Sequence, residues 1–96
     1  MDYRVFFTKR ALADLDNIAR YISEDDPEAA ARFGNALLDH VDLLGRFPRM
    51  GGITRKRSPV RKLIHGPILV FYRIHENERR VSVLRFRHGA RRPATL

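Results

Sequence analysis

Arg61, Lys62, Arg73, Arg85 and Arg87 are the residues in this 96-residue chain whose number and type most readily suggest chemistry. Guanidinium and ammonium groups hold phosphates and carboxylates. A reaction on such a ligand would also need a base, and bases are scarce here. Arginine does not give up its proton in practice, and no Asp or Glu occurs between Asp42 and Glu76 or after Glu78. Tyr72 and four histidines remain. His88 could act alone as acid or base, since an imidazole ordinarily titrates near ~6.5. The plainer reading is a histidine hydrogen-bonded at the end of a strand to fix the segment after it. His40 on a helix and His65 and His75 beside turns show no ligand spacing. The chain has no cysteine, so thiolate metal sites and disulfides are excluded. No metal and no cofactor are expected.

The cations belong to a wider asymmetry. Residues 1–42 contain nine acidic and five basic side chains, whereas residues 43–96 contain two acidic and fourteen basic, so a net charge of +8 conceals halves of −4 and +12. A field of that strength predicts an anionic partner. Hydrophobic residues make up 44% of the chain and charged residues 31%, a balance that supports a packed core. The length suits one domain, 1–96. No stretch approaches the ~20 apolar residues that a membrane span needs, and the N-terminus lacks an apolar leader. A soluble cytoplasmic protein without membrane contact is expected.

Periodicity supplies the elements that must position the cations. Tyr3–Phe7 is β-branched and aromatic, and Thr8 suits a helix N-cap. Ala11, Leu15, Ile18 and Ile22 then recur on one helical face, predicting a helix over about residues 9–24. Asp26-Pro27-Glu28 reads as N-cap, first-turn proline and first-turn acid of a second helix, which runs to about Leu44, with Gly45 at the C′ position and Pro48 forbidding continuation. Short linkage makes the two an antiparallel hairpin. Residues 45–59 hold three glycines, two prolines and five basic residues and read as a long loop. Val60–His65, Ile68–His75 and Arg79–Arg87 read as a strand meander, and 88–96 as an exposed basic tail. The fold class is α+β in the order β-α-α-β-β-β, a small, mainly antiparallel sheet covered on one face by the helical hairpin. A three-residue turn after His75 would place Ile68, Val70, Tyr72, Ile74, Leu84 and Phe86 on the core face and Arg73, Val81, Val83 and Arg85 on the other. A slip of one residue would exchange them.

Several pieces of text, in this order, resemble one family: Leu12-x-x-Leu15-x-x-Ile18-x-x-Tyr21-Ile22, Pro27-x-Ala29-Ala30-x-Arg32-Phe33, Phe47-Pro48-x-x-Gly51, Val60-Arg61-x-Leu63, Val70-Phe71-Tyr72-Arg73 and Val83-Leu84-x-x-x-His88-Gly89-x-Arg91. Together they resemble the ParE/RelE superfamily of small toxins, also described as plasmid-stabilisation proteins. The resemblance implies a toxin of a type II toxin–antitoxin system, silenced by a ParD-like or other acidic, amphipathic antitoxin. Operator DNA would be contacted only through the antitoxin complex.

The superfamily has two branches. RelE-like members cut messenger RNA on the ribosome by activating a ribose 2′-hydroxyl, a reaction that needs a base, an acid and cations around the phosphate. They commonly carry a tyrosine or a His-Tyr pair near the C-terminus, whereas here no tyrosine follows Tyr72 and His88 is followed by Gly89. A nuclease would have to use His88, Arg61, Arg85 and Tyr72. The His88-Gly89-x-Arg91 ending resembles instead the ParE-like branch, which poisons DNA gyrase without known nuclease chemistry. On that reading no residue is catalytic, and Arg61, Arg73, Arg85, Arg87, His88 and Arg91 are the target-binding residues. A third reading, a basic nucleic-acid-binding module, finds no helix-turn-helix, zinc or RNP-like pattern.

Overall fold

The computed structural model describes residues 2–89. Arg91 and the rest of the expected tail beyond Gly89 lie outside them. The chain runs through β1 (Arg4–Phe7), α1 (Lys9–Ser23), α2 (Pro27–Asp42), a 3-10 turn (Leu43–Gly45), β2 (Gly52–Ile53), β3 (Val60–His65), β4 (Ile68–His75) and β5 (Arg80–His88). One five-stranded sheet has the order β1-β5-β4-β3-β2, with β1 parallel to β5 and the other neighbours antiparallel.

Both helices begin where their capping residues direct. The Thr8 hydroxyl accepts from the Ala11 amide at 3.1 Å, and the Asp26 carboxylate accepts from the Glu28 and Ala29 amides, each at 3.1 Å. These acceptors satisfy amides that a first helical turn leaves without partners. The hairpin covers one sheet face. Ala11 of α1, Leu37 and Val41 of α2, and Leu44 after it pack on Leu63, Ile68, Val70, Tyr72, Val81, Val83 and Phe86, all buried.

The sheet corrects the expected facing of β5. Four residues, not three, separate His75 from its partner Arg80, so Val81 and Val83 point into the core. A bulge then intervenes. Tyr72 pairs with Val83 but Phe71 pairs with Arg85, so Leu84 is the extra residue and Phe86 returns to the core face opposite Val70. A bulge inserts one residue on one strand and resets the alternation, which is why no single register could bury Val81, Val83 and Phe86 together.

The expected loop over 45–59 contains β2, an edge strand of two residues paired with Arg61 and Lys62. Gly45 is not a left-handed helix cap. It lies in the 3-10 turn, its carbonyl accepts from the Tyr3 amide at 2.7 Å, and a Cβ there would stand 2.8 Å from the Tyr3 carbonyl oxygen. Tyr72 fastens the next stretch. Fully buried, it donates its hydroxyl to the Pro48 carbonyl at 2.7 Å and accepts from the Gly51 amide at 2.9 Å. A Cβ on Gly51 would come within 2.8 Å of that hydroxyl and 2.6 Å of the Lys62 carbonyl oxygen, so only glycine lets the loop approach this closely.

One side-chain pair crosses from α2 to β3. The Nδ1 atoms of His40 and His65 are 2.8 Å apart, and the Phe33 ring meets His65 edge-on. At that separation one nitrogen must donate and the other accept, which two neutral rings achieve and two imidazoliums cannot. Burial, and secondarily the charge of His40, lowers the His65 pKa below the ordinary 6.5.

Two predictions arise from this packing. Tyr72→Phe leaves the Gly51 amide and the Pro48 carbonyl without the partner they share and should lower unfolding stability by about 1–3 kcal/mol. Urea denaturation measures this, and an unchanged midpoint would contradict the anchoring role. The depressed His65 pKa means that the unfolded chain binds the proton more readily than the folded one. Stability should therefore hold above the unfolded value of 6.5 and fall as pH drops below it. Thermal melts across this range should show a steeper decline for the native chain than for His65→Gln; parallel curves would refute the linkage.

Candidate functional site

The cations predicted to act together are divided among different tasks. Arg61 braces the loop that Tyr72 anchors, its Nε donating to the Gly51 carbonyl at 2.9 Å and its Nη2 to the Arg49 carbonyl at 3.4 Å. Arg85 donates through Nε to Asp14 at 2.7 Å, and that same carboxylate accepts from the Phe86 amide at 3.0 Å. Asp14 is only 12% exposed, so a charge-assisted bond here binds more firmly than a pair in open water. Arg73 and Arg87 are the exposed members, on the sheet face away from the helices. Neither makes a salt bridge among the described residues, so both keep their full charge for an external ligand.

His88 ends β5 opposite Ile68, on the helix-covered side. With Asn17, Ile18, Tyr21, Ile22, Phe33 and Ile68 it lines an apolar hollow of about 440 Å³ between the helices and the sheet. Its Nδ1 is buried and has no hydrogen-bond partner among the described residues. The expected bond fixing the following segment is therefore not made by this nitrogen; the Gly89 amide bonds the Pro67 carbonyl at 2.7 Å instead. No sequence signal marked this hollow, because its walls read as ordinary core stripe and only the termination of the elements leaves it open.

The four residues that a nuclease would need are not assembled. The Tyr72 hydroxyl is fully buried and already engaged twice. Arg61 stands opposite Tyr72, whereas His88 stands opposite Ile68, four residues away along β4. At strand spacing this is roughly 13 Å along the sheet, and Arg61 is held on the Gly51 and Arg49 carbonyls, so the imidazole and that guanidinium do not meet on one phosphate. The described residues hold no group of three or more potential metal ligands, and no helix among them is long and apolar enough to cross a membrane.

Two cations gained partners that the sequence did not reveal. Arg49 and the Tyr3 hydroxyl both engage Glu76, and Arg80 pairs with Glu78 at 3.1 Å. Each acid of the basic half is thus paired with a cation of that half, and the exposed cations around them remain in excess.

Comparison with known proteins places this geometry. The family model for the ParE toxin of the type II toxin–antitoxin system parDE matches residues 5–93. A putative toxin, Y4kP, of Sinorhizobium fredii is 39% identical over 88 residues, covering 90% of this chain and 88% of that one. Toxin RelE2 of Caulobacter vibrioides is 35% identical over 88 residues, covering 92% and 97%. Among solved structures, the chromosomal ParDE system of P. aeruginosa superposes with a TM-score of 0.75 at 23% identity, over 90% of this chain and 95% of that one, a likeness of fold. The RelBE2 toxin–antitoxin complex of Mycobacterium tuberculosis gives a TM-score of 0.64 at 25% identity, over 92% of both chains. With a family model spanning most of its length and two relatives above one-third identity, the chain belongs to the ParE toxin family of type II toxin–antitoxin systems.

Proposed function

We propose that this toxin arrests growth by binding DNA gyrase, and that it is not a nuclease. The observation that carries the reading is the fate of the Tyr72 hydroxyl, the phenol that a nuclease reading would need, which is spent on the Pro48 and Gly51 backbone. Without it, proton transfer would fall to His88 alone, far from Arg61. A binding function requires only exposed charge and shape. Arg73 and Arg87 supply the charge on the open sheet face; Arg91, the other cation expected to bind the target, lies beyond the described residues. Arg61 and Arg85 contribute indirectly, by holding the loop and the end of β5.

Similarity to Toxin RelE2 favours a second reading, a RelE-like ribosome-dependent endoribonuclease. Both readings require a neutralising antitoxin, and the RelBE2 relative was solved with one. The hollow beside His88, with walls from both helices and the sheet, suits the apolar side of an amphipathic partner segment, as in helix-in-groove recognition.

Purified toxin tested in parallel on gyrase supercoiling and on cleavage of ribosome-bound messenger should inhibit the first and leave the second unaffected. Codon-positioned cleavage with normal supercoiling would reverse the assignment. In growth assays His88→Gln should remain toxic, whereas an enzyme relying on that imidazole should lose about 10²–10⁴-fold. Arg73→Ala and Arg87→Ala should each weaken arrest more than Lys9→Ala, with circular dichroism confirming that all three remain folded.

A further inference from the structure

The sheet face away from the helices has a second concentration of polar groups, at the end opposite His88. Four positions on two alternate rungs, those that face this side, form it. Arg73 is the partner of Ser82, and His75 is the partner of Arg80, across the β4–β5 pair. On the other side of β5, Arg4 is the partner of Arg80 and Phe6 of Ser82. Directly opposed residues lie about 5 Å apart and alternate residues along a strand about 7 Å apart. Arg73, His75, Arg80 and Ser82 therefore outline a patch that long side chains can close around a single small anion.

The groups are ordered within that patch. The Ser82 hydroxyl and His75 Nε2 are 3.1 Å apart, so serine and imidazole act as one hydrogen-bonding unit. The Arg80 guanidinium lies over the Phe6 ring, 5.8 Å from its centroid, which fixes its plane. Its Nη2 meets Glu78 at 3.1 Å, and the same carboxylate oxygen is 3.7 Å from His75 Nδ1. Its Nε is buried and has no hydrogen-bond partner among the described residues. A buried donor in that state is unfavourable and calls for an acceptor. Of the three guanidinium groups, Glu78 neutralises one, and Arg4 and Arg73 make no salt bridge among the described residues, which leaves two positive charges in excess.

We propose that this end of the open face binds a phosphate monoester. A dianion with three terminal oxygens matches the two excess charges. It offers enough acceptors for the Arg73 and Arg80 guanidinium groups and the Ser82 hydroxyl at one point, where a phosphodiester backbone would require cations spaced along a track. Phe6, half exposed beside Ser82, provides an apolar surface against which an attached base can stack. Neither gyrase nor the ribosome needs to be the target for this site to exist.

Amide and imidazole NMR spectra of the full chain test it, recorded during titration with inorganic phosphate, thymidine monophosphate and thymidine. An oligothymidylate with and without a terminal phosphate completes the set. Saturable shifts centred on Arg73, His75, Arg80 and Ser82 are expected with every probe that carries a monoester or free phosphate, and none with thymidine. Tighter binding of the phosphorylated oligomer than of the mononucleotide would identify a strand end as the ligand, and equal binding a free nucleotide. Arg73→Gln and Ser82→Ala should weaken binding, the former by about tenfold, whereas Arg32→Gln, the same charge loss on α2, should leave affinity within a factor of about two. The proposal fails if no phosphate probe saturates, if the oligomer binds equally without its terminal phosphate, or if Arg32→Gln weakens binding as much as Arg73→Gln.

Discussion

A strand of four residues, β1, covers only Arg80–Val83 of its nine-residue neighbour β5, and the edge beyond Val83 would face solvent unpaired but for α1. The Thr8 hydroxyl, while capping the helix, also donates to the Leu84 carbonyl at 3.1 Å. One turn and a half further on, Asp14 takes the Phe86 amide. The helix thus replaces the missing strand with side chains, satisfying the edge that an open sheet leaves exposed. This constraint sets the direction of α1, and through α1 that of the hairpin. It also explains why the bulge at Leu84 is tolerated, since the residues around it need no regular strand partner on that side.

The same carboxylate decides what Arg85 can do. Sequence text shows an arginine in an acid-poor half; it cannot show that an acid from the other half, 71 residues away, has folded onto it. Charge asymmetry along the chain is therefore a poor guide to charge asymmetry in space. Arg61 teaches the same lesson with backbone carbonyls in place of a carboxylate. What stays available is set by which face of the sheet a residue occupies, and that depends on a bulge with no local signature. Leu84 is neither glycine nor proline, and nothing in its neighbours announces an extra residue.

Other parts of the molecule were readable from local text because their causes are local. Thr8 and Asp26 cap helices through bonds to amides two or three residues away, and helical stripes such as Leu37 and Val41 or Ala11 and Leu15 record which side is covered. Gly51 and Tyr72 could each be seen, but not as a pair, because their contact spans 21 residues. The His40–His65 pair escapes for the same reason, its members standing 25 positions apart. The candidate site fared worst of all. Its cations were recognised by type, while the hollow beside His88 and the His75–Ser82 unit are created by register and by the ends of elements.

The parallel pairing of β1 with β5 has a consequence for the moment at which the protein acquires its shape. During synthesis β1 and α1 emerge first, yet the groups that fix them belong to β5, with Asp14 waiting for an amide 72 positions downstream. Until β5 has left the ribosome, Val5 and Phe7 have no strand beside them and the hairpin has no complete sheet to rest on. Contacts of such sequence separation form late and slowly. An incomplete chain released early would lack the strand that joins β1 to the rest of the sheet, and with it the buried Val81, Val83 and Phe86, so a truncated message should yield a harmless product. The interval between emergence of the helices and emergence of β5 is also a period in which the apolar side of the hairpin is open to a partner already present in the cell.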